Sequence, residues 1–255
     1  MTAQSSPAIG FGIDIGGSGI KGAPVDLTTG EFTEKRVRIP TPDPSTPKAV
    51  AATVAQLVGQ FDLPSTTPIG LTFPAPIKHG VVPFIANLDK SWKGVDVPAL
   101  MSEALGRPVS GVNDADAAGV AEAVFGAAKG VPGVVLLTTL GTGIGSALIV
   151  DGTLVPNTEL GHLEIDGDDA EHRASDAARG AEDLSWKDWA ERLQRFYDTV
   201  EMLFSPDLLV VGGGVSKKHE KFLPLLTTTA PIVPAQLRNT AGIVGAAYLA
   251  AHGHS

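Results

Sequence analysis

The sequence predicts an α/β protein made of two similar halves around a central cleft, and a repeated glycine pattern is the main reason for that prediction. In residues 136–151, LLTTLGTGIGSALIVD, an apolar run breaks on glycines at alternate positions and then resumes, as expected for two strands joined by a glycine hairpin. Residues 11–26, FGIDIGGSGIKGAPVD, repeat the pattern, with Gly16 in the place of Gly141. Glycine lets backbone N–H groups approach an anion such as phosphate. Two such hairpins predict two equivalent half-molecules that hold a phosphate chain from both sides.

Length and composition restrict the class of protein. The 255 residues suffice for two domains, and the 43% hydrophobic content includes no apolar run long enough to span a bilayer. The first residues, MTAQSSPAIG, lack the basic start and apolar centre of a signal peptide, and cysteine is absent. The simplest prediction is a soluble, cytoplasmic protein that does not bind membranes. A net charge of −9 argues against a nucleic-acid surface, so an anionic substrate would need a local basic patch.

Apolar spacing and helix-breaking residues predict the order of the elements. The first half should hold a three-stranded meander over residues 11–39, a helix from residue 45 or 46, a strand over 69–73, a helix over 97–105 and a strand over 108–112. The second half should hold a helix over 114–128, a second meander over 133–155, a polar stretch over 157–175, a helix over 185–204, a strand over 208–211, and helices from residue 216 and over 241–251.

The boundary between the domains is predicted near residue 110. The first domain would cover residues 1–110 and the second would cover residues 111–240, with the closing helix, 241–255, able to join the first domain. No linker or low-complexity tract separates the halves, so we expect them to share a cleft rather than to move on a tether.

The glycine hairpins differ from the common nucleotide-binding loops. Gly17, Gly19 and Gly22 have the spacing of a dinucleotide fingerprint, but that motif must open a helix, whereas Pro24 and Val25 continue an extended run. No Gly-Lys-Ser/Thr sequence is present, which excludes a P-loop. The candidate phosphate ligands in the two hairpins are therefore Gly16, Gly17, Ser18, Gly19 and Lys21 in the first, and Gly141, Thr142 and Gly143 in the second.

Acidic residues near the hairpins suggest metal and proton chemistry. Asp14 ends the first strand, where a carboxylate could hold Mg²⁺ directly or through water. Asp114 follows a strand and opens a helix, so it is either a helix cap or a general base that takes a proton from an attacking hydroxyl. Glu159 and His162 follow the second meander, either as solvated surface or as ligands of a polyhydroxylated molecule.

Six motifs in this order resemble the ROK family of sugar kinases, within the actin-like ATPase (ribonuclease H-like) fold. They are DIGGSGIKG, NDADAAG, LGTGIGSAL, ELGH, VVGGGVS and NTAGIVGAA. The resemblance implies that Asp114 is the general base and that it contacts the sugar. The other sugar contacts that it implies are Pro76, Asn87, Asn113, Glu159, His162 and Glu171, and it places Gly213 and Gly214 on the nucleotide side.

One difference from most members of the family indicates which branch the sequence resembles. Most members carry a cysteine-rich zinc loop after ELGH, whereas residues 161–180 are short and free of cysteine, so no zinc is expected. This is similar to the polyphosphate glucokinase branch, which includes bifunctional members that also accept ATP and sometimes mannose. The family's DNA-binding repressors have an N-terminal winged helix, and because the first hairpin begins at residue 11 we do not expect a repressor of this kind.

The resemblance therefore implies a glucokinase that uses Mg²⁺ and transfers phosphate from polyphosphate or ATP to the 6-hydroxyl of glucose, with mannose as a further acceptor. The alternatives are a strictly ATP-dependent hexokinase and a non-catalytic sugar sensor, and both a monomer and a homodimer remain open. A polyphosphate chain needs cations beyond the hairpins. The candidates are Lys21, Lys129, Lys217 and Lys218, although the last two could equally be a solvated helix start.

Overall fold

The computed structural model describes residues 8–85 and 88–253, which form two compact units. The first unit consists of residues 8–117 and 240–253 and is built on a five-stranded sheet. Its strands are β1 (Ile9–Gly16), β2 (Gly19–Asp26), β3 (Val37–Ile39), β4 (Ile69–Phe73) and β5 (Val109–Asn113). The order across the sheet is β3-β2-β1-β4-β5, with β1 to β3 antiparallel and β4 and β5 parallel to β1.

The helices of the first unit begin and end at residues suited to these positions. In α1 (Pro47–Val58) the Thr46 side chain accepts the N–H of Ala49, and Pro47 occupies the first turn. Helix α2 (Val97–Leu105) is ended by Gly106, which adopts the left-handed conformation. The closing helix of this unit, α7 (Ala241–His252), is mostly buried and packs on β1 and β4.

The second unit, residues 118–239, repeats the topology of the first. Its strands are β6 (Val134–Leu140), β7 (Ile144–Val150), β8 (Thr153–Val155), a small hairpin of β9 (Glu164–Ile165) and β10 (Asp168–Asp169), β11 (Leu208–Gly212) and β12 (Ile232–Pro234). The main sheet has the order β12-β11-β6-β7-β8, again with an antiparallel meander and two further parallel strands. The prediction of two similar α/β halves is confirmed.

The helices of the second unit cover the sheet and the polar stretch. They are α4 (Ala170–Ala174), α5 (Asp176–Ala181) and α6 (Trp186–Phe204), and α3 (Asp114–Phe125) enters this unit from the first. Ser185 caps α6 through its side chain. Most large apolar side chains along α6 are buried in the core, but Leu203 is exposed. Residues Gly214–Lys221, where a helix was predicted, form a 3₁₀ helix with non-helical backbone angles at Lys218.

The division between the two units falls later in the sequence than the predicted boundary near residue 110. Strand β5 pairs in parallel with β4 from Val109 to Asn113, so it completes the first sheet, and the division falls after Ala117. Such a long-range pairing leaves no local signal in the sequence. Asn113 and Asp114 consequently belong to the first unit, as does α7. In the part of the chain that the structure describes, none of the helices has the length and apolar character needed to cross a bilayer.

Candidate functional site

The first glycine hairpin is a tight turn between β1 and β2. Gly16 lies opposite Gly19, which leaves Gly17 and Ser18 as an exposed two-residue connection. The guanidinium of Arg38, on the neighbouring strand β3, donates a hydrogen bond of 2.7 Å to the carbonyl of Ser18. The hairpin tip therefore has a cation beside it that inspection of the hairpin sequence alone does not reveal.

Asp14 and Lys21 face each other across this hairpin. They are opposite in the β1–β2 register, and Lys21 Nζ lies 2.7 Å from Asp14 Oδ2 in a partly buried ion pair. The other carboxylate oxygen, Oδ1, accepts a hydrogen bond of 3.1 Å from the hydroxyl of Thr72 on β4. The geometry brings together the predicted metal ligand and the predicted phosphate-binding lysine, at the ends of the strands that lead into the turn.

Asn113 and Asp114 lie at the end of β5 and differ in how they contact the start of α3. The Oδ1 atom of Asn113 accepts the N–H groups of Ala115 at 2.8 Å and Asp116 at 3.2 Å, so Asn113 caps α3. The Asp114 side chain is exposed, and its Oδ1 accepts the N–H of Ala115 at 2.8 Å. Because Asn113 supplies the cap, helix capping does not by itself account for the carboxylate of Asp114.

Two further sugar contacts were predicted in the first half of the chain. Pro76 is buried in the segment after β4. Asn87 lies outside the described residues, so its predicted role as a sugar contact stays a prediction.

The second hairpin joins β6 to β7 through Gly141, Thr142 and Gly143. The N–H of Gly141 donates to the carbonyl of Gly143 at 3.0 Å, and Thr142 is exposed at the tip. Glu171, from α4, is anchored against this hairpin because its Oε2 accepts the N–H of Ile144 at 3.1 Å. A methyl group on Gly143 would overlap that carboxylate oxygen, so this close approach requires glycine.

Glu171 also links the second hairpin to a cluster of polar side chains. His162 Nδ1 lies 4.0 Å from Glu171 Oε1 and 2.9 Å from Asp169 Oδ2 on β10. Glu159 is half-buried at the start of the short 3₁₀ helix Leu160–His162. The structure therefore brings Glu159, His162 and Glu171 into one cluster and adds Asp169, which sequence reasoning missed because it lies in a polar stretch without periodicity.

Burial and neighbouring groups raise the pKa values of two side chains in this cluster. Burial raises the pKa of Glu159, with the proximity of Glu171 adding to the effect and His162 opposing it. The hydrogen bond with Asp169 raises the pKa of His162, and Glu171 and Glu159 act in the same direction. Carboxylates and an imidazole of this kind supply both the donors and the acceptors that a sugar hydroxyl requires.

The glycine motif after β11 lies against the base of the second hairpin. Gly213 has a positive φ of 81°, and a side chain at this position would overlap the backbone of Leu140. Gly214 and Lys217 follow in the 3₁₀ helix and are exposed. The predicted donor-side residues of the second unit are thus adjacent to the hairpin.

Lys129 lies at the other end of the second sheet. It precedes β6, close to Gly133, whose N–H donates to Asp151 just beyond the end of β7, whereas the hairpin joins the opposite ends of these strands. The length of β6 separates Lys129 from Gly141, which argues against its predicted part in a cation track leading from the hairpin.

A separate cavity of about 340 Å³ lies beside α6 in the second unit. Its three arginines are ion-paired, Arg195 with Asp166 at 2.8 Å, Arg173 with the same carboxylate at 3.7 Å, and Arg192 with Glu182 at 2.6 Å. None of the predicted site residues lines it.

The duplicated fold with two glycine hairpins defines a class of phosphate-binding proteins, and comparison with known proteins narrows that class. The model of the ROK family matches residues 10–174. The chain therefore belongs to the ROK family, and its fold is the actin-like ATPase fold.

Curated relatives and a solved structure are similar over nearly the whole chain. Polyphosphate glucokinase of Mycobacterium tuberculosis (strain H37Rv) is 50% identical over 93% of this chain and 89% of its own length. The polyphosphate glucokinase of Mycobacterium leprae is 48% identical over 93% of this chain and 73% of its own length. The crystal structure of inorganic polyphosphate/ATP-glucomannokinase from Arthrobacter sp. strain KM is 55% identical, with a TM-score of 0.92 and coverage of 97% of this chain and 100% of that one.

Proposed function

We propose that this protein transfers a phosphoryl group to the 6-hydroxyl of glucose, with inorganic polyphosphate or ATP as donor. The observation that carries the proposal is the 50% identity with a polyphosphate glucokinase over 93% of the chain. Two equivalent glycine hairpins and an exposed carboxylate at the end of β5 fit this activity. The similar Arthrobacter enzyme is a glucomannokinase, which supports mannose as a second acceptor.

Asp114 is proposed as the general base. Its exposed carboxylate takes the proton of the 6-hydroxyl, the hydroxyl oxygen bonds to the terminal phosphorus, and the bond from that phosphorus to the bridging oxygen breaks. The leaving group is a polyphosphate shortened by one unit, or ADP. Because little covalent chemistry falls to the protein, positioning of the reactants and neutralisation of charge supply most of the catalysis.

The two hairpins are proposed to bind the donor phosphates. Gly16 to Gly19 in the first hairpin, and Thr142 and Gly143 in the second, offer backbone N–H groups, whereas the N–H of Gly141 is bound to the carbonyl of Gly143. Lys21 and Arg38 add positive charge to the first hairpin. Gly213, Gly214 and Lys217 are proposed to extend the donor site of the second unit.

Asp14 is proposed to hold Mg²⁺ together with the donor phosphates. No cluster of three or more His, Asp or Glu side chains within the described residues is arranged to hold a metal ion. Asp14, with one oxygen bound to Lys21 and the other to Thr72, fits an ion held mainly by phosphate oxygens and water, which is the usual environment of Mg²⁺. When bound, Mg²⁺ supplies neutralisation of the phosphate charge.

Glu159, His162 and Glu171 are proposed to bind the sugar hydroxyls, together with Asn113, Pro76 and Asn87. The cluster around His162 supports this because its groups include both donors and acceptors. Asn113 uses its Oδ1 to cap α3, so its amide nitrogen is the atom proposed to donate to the sugar.

A matrix of donors against sugars tests the proposed function. Long-chain polyphosphate and ATP would each be combined with glucose and mannose, and formation of the 6-phosphate followed in a coupled assay, with Asp114→Asn as the inactive control. We expect glucose-dependent turnover with both donors. Turnover with ATP alone would contradict the polyphosphate donor, and no turnover with either would favour a sugar sensor.

A further inference from the structure

Three cationic side chains surround one indole ring in the second unit. The guanidinium carbon of Arg179 lies 4.4 Å from the centre of the Trp186 ring, and the Nζ atoms of Lys221 and Lys218 lie 5.5 and 5.8 Å from it. Arg179 comes from α5, Trp186 from α6, and the lysines from the 3₁₀ helix Gly214–Lys221. We call Arg179, Lys218 and Lys221 the Trp186 cation cluster.

The positive charge of this cluster is largely unneutralised. Among the described residues, no carboxylate lies within ion-pair distance of Lys218 or Lys221, and both side chains are exposed, whereas Arg179 pairs with Asp176 at 2.8 Å. Cation–π attraction of about 0.5–1 kcal/mol for each exposed cation offsets part of their mutual repulsion. In a protein of net charge −9, such a concentration of positive charge favours an anionic ligand.

The Trp186 ring packs against two other aromatic side chains. Trp186 stacks on Phe222, with ring centres 6.2 Å apart and an angle of 15°, and meets the edge of Trp189 at 5.8 Å. Phe222 and Trp189 are fully buried, and the indole N–H of Trp189 donates to the carbonyl of Ala174 at 2.9 Å. The ring on which the cations lie is therefore fixed before any ligand arrives, which reduces the entropy cost of binding.

Two chain segments lead from the second glycine hairpin to this cluster. The N–H of Ala177 donates to the carbonyl of Gly141 at 3.0 Å, so the first turn of α5 lies on the hairpin, and Arg179 follows two residues later. On the other side, Gly213 packs against Leu140 at the base of the hairpin, and the 3₁₀ helix with the lysines begins at the next residue. Each segment thus connects the hairpin to cations that lie over the Trp186 ring.

We propose that the Trp186 cation cluster binds the non-reacting tail of an inorganic polyphosphate chain whose leading phosphates lie at the second hairpin. This inference rests on the proposed use of polyphosphate as donor. A linear polyanion offers only repeated charge, so its recognition requires cations spaced along a surface rather than a shaped pocket. ATP ends after three phosphates and carries a base and a ribose instead of a charged tail.

The test is the dependence of polyphosphate use on chain length in a Lys218→Ala/Lys221→Ala variant. We expect KM for long-chain polyphosphate to rise about 3- to 10-fold, the combined effect of two exposed charge contacts. The KM values for tripolyphosphate and ATP, and kcat with every donor, should stay within about twofold of the wild-type values. Added salt should raise the wild-type KM for long chains more steeply than that of the variant.

Two control variants make the comparison specific. Lys129→Ala removes an exposed lysine of the same unit at the opposite end of β6, and it should change no KM. Lys218→Arg/Lys221→Arg keeps the charge and should restore the chain-length dependence. An equal change in KM for long chains, tripolyphosphate and ATP would overturn the proposal, and a rise confined to ATP would assign Trp186 to the nucleotide base instead.

Direct binding separates a failure of this inference from a failure of the proposed function. Titration of long-chain polyphosphate into the protein without glucose should show affinity that falls in the Lys218→Ala/Lys221→Ala variant. Binding that depends on these lysines without any turnover would contradict polyphosphate as donor but retain the binding site. Turnover with polyphosphate that the double substitution leaves unchanged would overturn the cluster and retain the donor.

Discussion

The two glycine hairpins share a backbone design but differ in chemistry. Both join antiparallel strands at the same place in sheets of the same topology. The first carries its own charges, with Asp14 and Lys21 opposite each other and Arg38 at the tip. The second has no ionisable side chain on its strands and takes its polar surroundings from Glu171, which lies outside the hairpin. The two copies share the backbone arrangement that is proposed to bind phosphate, while the side chains around each copy differ.

This difference suggests a division of labour between the two units. The first unit holds the charged groups proposed for metal binding and proton transfer, and the second holds the cluster proposed for the sugar hydroxyls. Substitution of Asp14 or Asp114 in the first unit should then lower kcat, whereas substitution of Glu159, His162 or Glu171 in the second should mainly raise KM for glucose.

Asp114→Asn should have the largest effect. The amide is nearly isosteric and can still accept the N–H of Ala115, so the fold and sugar affinity should be kept while the base is lost. We expect kcat to fall by roughly 10²- to 10⁴-fold, the usual contribution of a general base. The measurement is steady-state turnover at saturating glucose with each donor.

Near-normal turnover of Asp114→Asn would remove the base from the first unit and with it the proposed division of labour. A rise in KM for glucose at unchanged kcat would make Asp114 a sugar ligand alone.

Gly143→Ala and Gly141→Ala form a matched pair within the second hairpin. A methyl group at Gly143 overlaps the Glu171 carboxylate and must displace it from the N–H of Ile144, whereas at Gly141 no protein atom lies within 4 Å. Displacement of Glu171 should also remove its proposed hydrogen bond to the sugar, and loss of a hydrogen bond to a charged group corresponds to about 1.5–3 kcal/mol. Gly143→Ala should therefore raise KM for glucose at least tenfold, as measured by steady-state kinetics.

Gly141→Ala should leave KM for glucose unchanged and raise KM for the phosphoryl donor, because its methyl group occupies the space that donor phosphates would approach. Equal glucose KM values in the two variants would show that Glu171 acts independently of the hairpin.

Glu159→Gln and His162→Ala probe the sugar cluster itself. Each should weaken glucose binding by about 1.5–3 kcal/mol if it removes a charge-assisted hydrogen bond, with His162→Ala the more severe because the whole ring is lost. Equilibrium titration of glucose is the direct measurement. Unchanged affinity in both variants would exclude the ELGH segment from the sugar site.

Much of the fold could be predicted because its signals are local. The glycine spacing predicted both hairpins, and capping residues such as Thr46, Ser185 and Gly106 marked helix ends within a residue or two. The hairpin ligands and Asp14 were predicted from the residue pattern and the sugar contacts from motif resemblance, and the structure adds the partners of these side chains.

The features that escaped prediction depend on contacts between distant segments. Asp169 reaches His162 only because a small hairpin forms in a polar stretch, and Arg38 reaches Ser18 only because β3 pairs with β2. The grouping of Arg179 and Lys221 around Trp186 likewise joins three separate elements. None of these contacts leaves a periodic pattern in the chain.

The smallest predicted effect concerns pH and distinguishes the two hairpins once more. The first hairpin contains no histidine, whereas the second is linked through Glu171 to His162, whose pKa is raised above the usual 6.5 mainly by its hydrogen bond with Asp169. In Asp169→Asn the amide oxygen can still accept a hydrogen bond from Nδ1, but the negative charge is lost. The His162 titration midpoint, followed by NMR, should therefore move to lower pH.

Asp168→Asn is the matched control, because Asp168 pairs with His172 at 2.9 Å in the same way one residue earlier. It should lower the pKa of His172 and leave that of His162 and the KM for glucose unchanged. An unchanged His162 midpoint in Asp169→Asn would contradict the assignment of Asp169 as its partner.

The same substitution makes a prediction for stability, with a definite sign. A histidine with a higher pKa in the folded state contributes its full stabilisation below the unfolded pKa of about 6.5 and loses it as the pH rises through the folded pKa. Since the His162 side chain is 45% exposed, solvent screening keeps this contribution below about 1 kcal/mol. The free energy of unfolding of the wild type should therefore fall more between about pH 5.5 and 8.5 than that of Asp169→Asn. Parallel pH profiles for the two proteins would show that the Asp169–His162 pair adds nothing to stability, leaving orientation of the ring toward the sugar as its one remaining role.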